Sequence, residues 1–354
     1  MKAERTLVVG PSWVGDMVMA QVLFTILRDA NPEGAIDVLA PPATVSLTQR
    51  MAQIDRGIRF EVGHGEFRLG YRFGLAKHLA ENGYDHAIVL PNSLKSAIVP
   101  AFAGIPRRTG FLGEYRYYLL NDLRLLDKRR LPLMIDRFAA LGVDDGKTPP
   151  QPLPHPRLML DAARQAVLRD QFDIGGEPVL GLCPGAEFGP AKQWPAEHHA
   201  VLAASALANG WQVLIFGTDK DAAIARAIVT AVQDSAVPGG VPTGRLCDLT
   251  GKTSLLDAID LLGLCDHVVT NDSGLMHVAC AVGVPVTAVY GSSSPDFTPP
   301  LSERATIASL GLDCAPCFKR TCPLGHNGCP FVSFCRNSTY GMRRCTSRVR
   351  QKLL

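Results

Sequence analysis

The chain has 354 residues, which at roughly 150 residues per domain makes about two domains. Hydrophobic residues are 47% and charged residues 19% of the total, the composition of a folded globular protein, so wholesale disorder and collagen-like structure are excluded. The 36 Lys and Arg against 33 Asp and Glu leave a net charge of only +3; with no RNP-type run, finger spacing or basic helix, no nucleic-acid partner is expected.

The run Thr6-Leu7-Val8-Val9-Gly10 is too short for the core of a signal peptide and is followed by Pro11, Trp13 and Asp16, so it is read as a first β-strand. Strands are predicted at Leu7–Gly10, Ile36–Ala40, Arg59–Val62 and His86–Leu90, with helices at Val14–Ala30, Phe67–Asn82 and Ser93–Ala103 between them. Five prolines between Thr148 and Arg157 forbid a helix or central strand there and place a linker. The alternation then resumes. Strands are expected at Val179–Cys183, Gln212–Phe216, His267–Thr270 and Val284–Tyr290, and helices at Ala196–Asn209, Asp221–Asp234, Ser254–Gly263 and Gly274–Val282.

The expected organisation is α/β: a Rossmann-like domain over 1–148, a Pro-rich linker and connecting helix over 149–176, and a second Rossmann-like domain over 177–354 with a Cys-rich basic tail. Two such domains facing a central cleft would present loops from the carboxyl ends of their strands. The uncharged stretch Leu275–Pro295 is broken by His277, Gly283, Pro285 and Gly291, so no membrane span is expected.

Gly10-Pro11-Ser12-Trp13-Val14-Gly15-Asp16-Met17 lies at the first strand-to-helix crossing and is neither a Walker A loop nor a dinucleotide fingerprint. Asp16 is either a favourable partner for the helix dipole or a general base. The loop Cys183–Pro195 carries Lys192, either a point charge for a phosphate or an exposed lysine in a structural turn. Thr270-Asn271-Asp272-Ser273-Gly274-Leu275-Met276-His277 ends a strand and opens a helix. Its free amides and small residues suit a pyrophosphate, whereas Asp272 or Ser273 could equally be a simple cap and His277 a core histidine. In the tail, Cys314, Cys317, Cys322 and Cys329, with His326 among them, could hold a structural metal or remain thiols. From Cys314 to Leu354 there are eight Lys and Arg and no acid, a local basic surface for an anionic partner or membrane, or merely a solvated run.

These strings, together with Leu90-Pro91-Asn92-Ser93-Leu94-Lys95-Ser96-Ala97 and Phe102-Ala103-Gly104-Ile105-Pro106-Arg107-Arg108-Thr109-Gly110, resemble the heptosyltransferases of glycosyltransferase family 9 over residues 5 to about 310. The resemblance implies a GT-B fold and an inverting enzyme that needs no metal or other cofactor. Its C-terminal lobe would hold ADP-L-glycero-D-manno-heptose and its N-terminal lobe the acceptor, heptosyl-Kdo2–lipid A; heptose would be joined to the first heptose of the lipopolysaccharide inner core and ADP released. A heptosyltransferase acting at another inner-core position is the alternative, and a nucleotide- or metal-binding scaffold without turnover the reading from another class. By the same resemblance the general base is Asp16, the phosphate-contacting lysine Lys192, and the donor-binding set Asp272, Ser273, Gly274 and His277, with Asp219 and Thr253 at nucleoside and ribose positions. Glu187 and Phe188, also on the donor side, stand where a related branch has hydroxyl residues. His64, Asn92, Lys95, Arg107 and Arg108 lie in loops whose position and charge suit the acceptor's carboxylates and phosphates. The implied location is the cytoplasm, in peripheral contact with the inner face of the cytoplasmic membrane.

Overall fold

A computed structural model describes residues 4–63, 66–235 and 242–324. The chain divides into two compact units, Met1–Met159 and Leu160–Leu354.

The first unit is a six-stranded sheet of β1 (Arg5–Val9), β2 (Ala35–Ala40), β3 (Arg56–Arg59), β4 (His86–Val89), β5 (Arg107–Phe111) and β6 (Asp122–Arg124). Its order is β3-β2-β1-β4-β5-β6 and every pairing is parallel. The crossovers include α1 (Val14–Met19), α2 (Gln21–Ala30), α3 (Pro42–Val45), α4 (Leu69–Ala80) and α5 (Ile98–Phe102), and α6 (Met134–Leu141) follows the last strand. Parallel strands covered on both faces read as continuous apolar runs, and Leu7, Val8, Val38, Ala87, Ile88 and Val89 are indeed fully buried.

The second unit repeats the plan. Strands β7 (Val179–Cys183), β8 (Gln212–Ile215), β9 (Leu246–Asp248), β10 (His267–Asn271), β11 (Val286–Val289) and β12 (Ala305–Ala308) form a parallel sheet of order β12-β11-β10-β7-β8-β9. Its helices are α7 (Ala162–Gln171), α8 (Ala196–Ala208), α9 (Ala222–Gln233), α10 (Leu255–Leu262) and α11 (Gly274–Val282). Counting strands within each unit, both sheets have the doubly wound order 3-2-1-4-5-6 or its mirror listing. Each therefore has a crevice where the connections reverse direction, between β1 and β4 in one and between β7 and β10 in the other.

Several sequence expectations are corrected. The third strand is Arg56–Arg59, three residues earlier than the apolar pattern suggests, because it is an exposed edge strand with no apolar run of its own; Phe60–Val62 lies past its end. The helix expected over Val14–Ala30 is two helices. Ala20 separates them, and the amide of Leu23 donates to the carbonyl of Ala20 at 3.0 Å, the three-residue closure that tightens a turn. Strands β5, β6, β9 and β12 escape the apolar pattern because they are short and partly polar. Residues 149–161 carry no helix or strand, and the division between units falls within the Pro-rich and connecting segment, after Met159. Helix α7 packs on α10, with Arg164 Nε 2.6 Å from Asp257 Oδ1 and Gln165 Nε2 donating to the Asp260 carbonyl at 2.9 Å. Among the described residues no helix is long and apolar enough to cross a membrane.

Candidate active site

In the first unit, the loop after β1 turns at Gly10, whose amide donates to Leu39 O at 2.9 Å. A Cβ at Gly10 would come within 2.6 Å of Met17 Cε and 3.2 Å of Val38 Cγ1, so a larger residue there would displace the Met17 side chain. Buried Thr44 pins the loop by donating to Pro11 O at 3.0 Å. Asp16 then stands half-buried in the first turn of α1, at the carboxyl end of the sheet and beside the crevice.

On the other side of that crevice, the loop after β4 carries Asn92, exposed, and Lys95, partly exposed. This loop is organised by a residue that the sequence did not single out. Arg116 is fully buried, and its guanidinium donates to Pro91 O at 2.6 Å, to Asn92 Oδ1 at 3.1 Å, to Ser96 Oγ at 3.1 Å and, through Nε, to Phe111 O at 3.2 Å. Burial pushes its pKa down to about 10. Arg72 holds the carbonyl of Lys95 from the other side at 2.9 Å.

Arg107 and Arg108 do not join this group. They open β5 beside His86 and Ala87, at the amino end of a parallel sheet, whereas Asp16, Asn92 and Lys95 follow carboxyl ends. Arg107 is paired with Asp122 at 3.0 Å and Asp144 at 3.1 Å, and Arg108 donates to the carbonyls of Leu119 and Ile105 at 2.8 and 2.6 Å. These contacts hold the two arginines at the opposite edge of the sheet from Asn92 and Lys95. His64 lies outside the described residues.

In the second unit the loop after β7 meets the end of β10. Asn271, the last residue of β10, is fully buried; its Nδ2 donates to Pro184 O at 2.7 Å and its Oδ1 accepts from the Trp194 amide at 3.0 Å. That amide side chain staples both ends of the loop after β7 to the neighbouring strand. Lys192 Nζ consequently lies 2.6 Å from Asp272 Oδ2 and 5.1 Å from the centre of the Phe188 ring, an ion pair and a cation–π contact on one ammonium. Asp272 is 4% and Lys192 18% exposed at the side chain. Ser273 is the N-cap of α11 and makes no side-chain cap bond. The first amides of a helix lack intrahelical partners and carry the positive end of its dipole, so Ser273 and Gly274 present an anion site beside Lys192.

His277, one turn along, is buried, and burial holds its pKa down at about 4; at neutral pH it is an uncharged imidazole. Glu187 is exposed and paired with Lys220 at 2.6 Å. Asp219 opens a turn after β8 and meets Gly251 of the loop after β9, which also carries half-buried Thr253. Both lie on the same edge of the sheet as Lys192. Cys314, Cys317 and Cys322 are free thiols, and among the described residues no three His, Cys, Asp or Glu side chains converge as a metal-holding group; Cys329 lies outside them.

The arrangement is similar to solved glycosyltransferases. The structure of Escherichia coli ADP-heptose lipopolysaccharide heptosyltransferase II superposes with a TM-score of 0.79 at 45% identity, covering 86% of this chain and 90% of that one. Escherichia coli heptosyltransferase WaaC with ADP matches at a TM-score of 0.67 and 18% identity over 90% and 95% of the two chains, a likeness of fold. The fold is thus the GT-B architecture, with two parallel sheets in a mixed α/β chain. In sequence, the chain is 46% identical over 312 residues to lipopolysaccharide heptosyltransferase 2 of Escherichia coli (strain K12), covering 86% of this chain and 88% of that one. It is 45% identical over 313 residues, with the same coverage, to lipooligosaccharide heptosyltransferase 2 of Haemophilus influenzae. A family model described as glycosyltransferase family 9 (heptosyltransferase) matches residues 72–327. The chain belongs to glycosyltransferase family 9 and is a heptosyltransferase.

Proposed function

We propose that this heptosyltransferase transfers L-glycero-D-manno-heptose from ADP-heptose to the first heptose of heptosyl-Kdo2–lipid A, with inversion at the anomeric carbon and release of ADP. The observation that carries the reading is the gathering of Lys192, Asp272 and the Ser273–Gly274 amides on one crevice, in a chain similar over most of its length to proteins named lipopolysaccharide heptosyltransferase 2.

The acceptor hydroxyl oxygen attacks the anomeric carbon as the bond from that carbon to the diphosphate oxygen breaks. Its proton passes to the Asp16 carboxylate, and the electron pair leaves with ADP. Lys192 and the α11 amides face the negative charge that grows on the departing diphosphate, the task that a divalent cation performs elsewhere, so turnover is expected without metal. Neutral His277, with Asp219 and Thr253, lines the donor side; Asn92 and Lys95 face the acceptor. The lipid portion of the acceptor and the basic residues after Cys314 support a cytoplasmic enzyme in peripheral contact with the inner leaflet.

The test is ADP release from ADP-heptose in EDTA, with heptosyl-Kdo2–lipid A, with Kdo2–lipid A, and with no acceptor. Release that depends on heptosyl-Kdo2–lipid A and persists in chelator is expected. Release only with Kdo2–lipid A or a longer core would move the enzyme to another inner-core position.

A further inference from the structure

The segment from Asp313 to Cys322 runs beside the donor loops. Phe318 donates its amide to Ser292 O at 2.7 Å, and two residues on, Arg320 O accepts the amide of Ala191 at 3.1 Å. This strap thus ties the loop after β11 to the loop after β7. Phe318 holds a left-handed backbone with φ of 52°, a conformation that a non-glycine residue keeps only where its surroundings fix it. Gly189 passes so close that a Cβ there would come within 2.7 Å of Arg320 O.

The strap delivers a cation. The Arg320 guanidinium carbon lies 5.6 Å from the centre of the Phe188 ring, the ring that also faces Lys192 Nζ at 5.1 Å. Two lysines of the donor loops are engaged by carboxylates: Lys192 by Asp272 and Lys220 by Glu187, each at 2.6 Å. Arg320 makes no ion pair with a carboxylate among the described residues. The Lys192–Asp272 pair is close to neutral as a unit, so Arg320 brings to the shared ring a positive charge that no carboxylate among the described residues matches. A second observation points the same way. Ser292 and Ser293, in the loop that holds the strap, are 2% and 7% exposed, yet neither hydroxyl has a hydrogen-bond partner among the described residues. Nearly all buried polar groups are bonded, so these two hydroxyls still have hydrogen bonds to make, in the loop that the strap ties down.

We propose that Arg320 is a second diphosphate-binding cation of the donor site, positioned by the Asp313–Cys322 strap and the face of Phe188. The inference rests on the donor-site reading given above. A guanidinium offers paired donors matched to phosphate oxygens; here it adds the positive charge that the Lys192–Asp272 pair lacks, and its hold strengthens as ADP leaves with its extra negative charge.

The test is calorimetric binding of ADP, AMP and adenosine to the full chain, to Arg320→Ala and to Arg320→Lys, with kcat and KM for ADP-heptose and a thermal melt of each. Arg320 is exposed, so both variants should melt as the parent does. A charged hydrogen bond of about 1.5–3 kcal/mol corresponds to a loss of roughly 10- to 100-fold in ADP affinity for Arg320→Ala. Adenosine binding should stay constant, AMP should lose less than ADP, and Arg320→Lys should recover part of the loss. Equal ADP affinity in parent and Arg320→Ala would overturn the proposal while leaving the donor site standing. A matching fall in adenosine affinity would also overturn it, by making the strap a support for the nucleoside. Failure of the parent chain to prefer ADP over adenosine would overturn the donor-site reading itself, and this proposal with it.

Discussion

At Lys192, one ammonium serves an ion pair, an aromatic face and the phosphate it is proposed to bind. Replacing it by methionine removes a cation from the site and leaves Asp272, 4% exposed, without its partner. Breaking a buried pair from one side costs about 3 kcal/mol. Lys192→Met should therefore lower both thermal stability and ADP affinity, the latter at least about tenfold, as for other charged contacts. Adding Asp272→Asn should restore most of the melting temperature and none of the affinity; recovery of both would mean that the lysine acts only through the fold. Asp16 calls for a different measurement. If it takes the acceptor proton, Asp16→Asn should reduce kcat by about 10²- to 10⁴-fold with ADP binding unchanged, and an active Asn variant would reduce Asp16 to a dipole partner. These residues were legible in the sequence because each sits at a strand-to-helix crossing in a string that carries meaning by itself. Arg116, Asn271 and Arg320 were not. Their importance comes from which carbonyls and rings surround them after folding, and an arginine in Gly113-Glu114-Tyr115-Arg116 looks like any exposed one.

Helix α8 shows how an element can carry a hidden pH dependence. His199 is fully buried, neither ring nitrogen has a hydrogen-bond partner among the described residues, and burial holds its pKa down at about 3. His277 in α11 and His86 in β4 are likewise lowered to about 4 by burial. The unfolded chain takes up these protons near pH 6.5, while the native one does not until far lower. Stability is thus complete above pH 6.5 and is lost as pH falls toward 3–4. His199→Leu should flatten this slope, removing about 2 kcal/mol of the stability difference between roughly pH 8 and pH 5, which paired melts would show. An unchanged difference between the two pH values would mean that His199 is not buried as a neutral ring. Elements were legible in proportion to their burial: the inner strands announced themselves as apolar runs, while edge strand β3, with three of four residues exposed, left no pattern to read. The loop after β4 was legible in place but not in construction, since nothing in it names Arg116 as the residue that fixes its shape. Arg116→Met should strand several carbonyls and cost about 3 kcal/mol of stability, with a larger relative effect on acceptor KM than on ADP binding.

Across the whole molecule, two copies of one doubly wound plan explain why candidate sites could be placed from the sequence. Parallel connection places every strand-to-helix loop on one edge of its sheet, so a motif at such a crossing is at the functional edge before any coordinate is known. The same rule sets Arg107 and Arg108, which begin a strand instead of ending one, at the opposite edge from Asp16. The proposed membrane contact is also a property at this scale. From Cys314 onward the sequence carries eight Lys and Arg and no acid, so the protein should sediment with vesicles rich in anionic lipid at low ionic strength. It should be released at about 0.5 M salt, where the Debye length is only a few ångströms; binding that ignores salt, or no binding at all, would count against an electrostatic attachment.

The strand order also sets a timetable. In each sheet the strand synthesised first, β1 or β7, ends up inside, paired on one side with a strand about one crossover later and on the other with one much farther along, as Leu7 pairs with both Asp37 and Ala87. The first strand therefore waits longest for its full set of neighbours, and such distant pairings are slow to form. Yet β6, the last strand of the first sheet, is complete at Arg124, well before β7 begins at Val179. On the ribosome the first unit has all its strands in hand while the second is still being translated, so the two sheets need never compete for one another's strands.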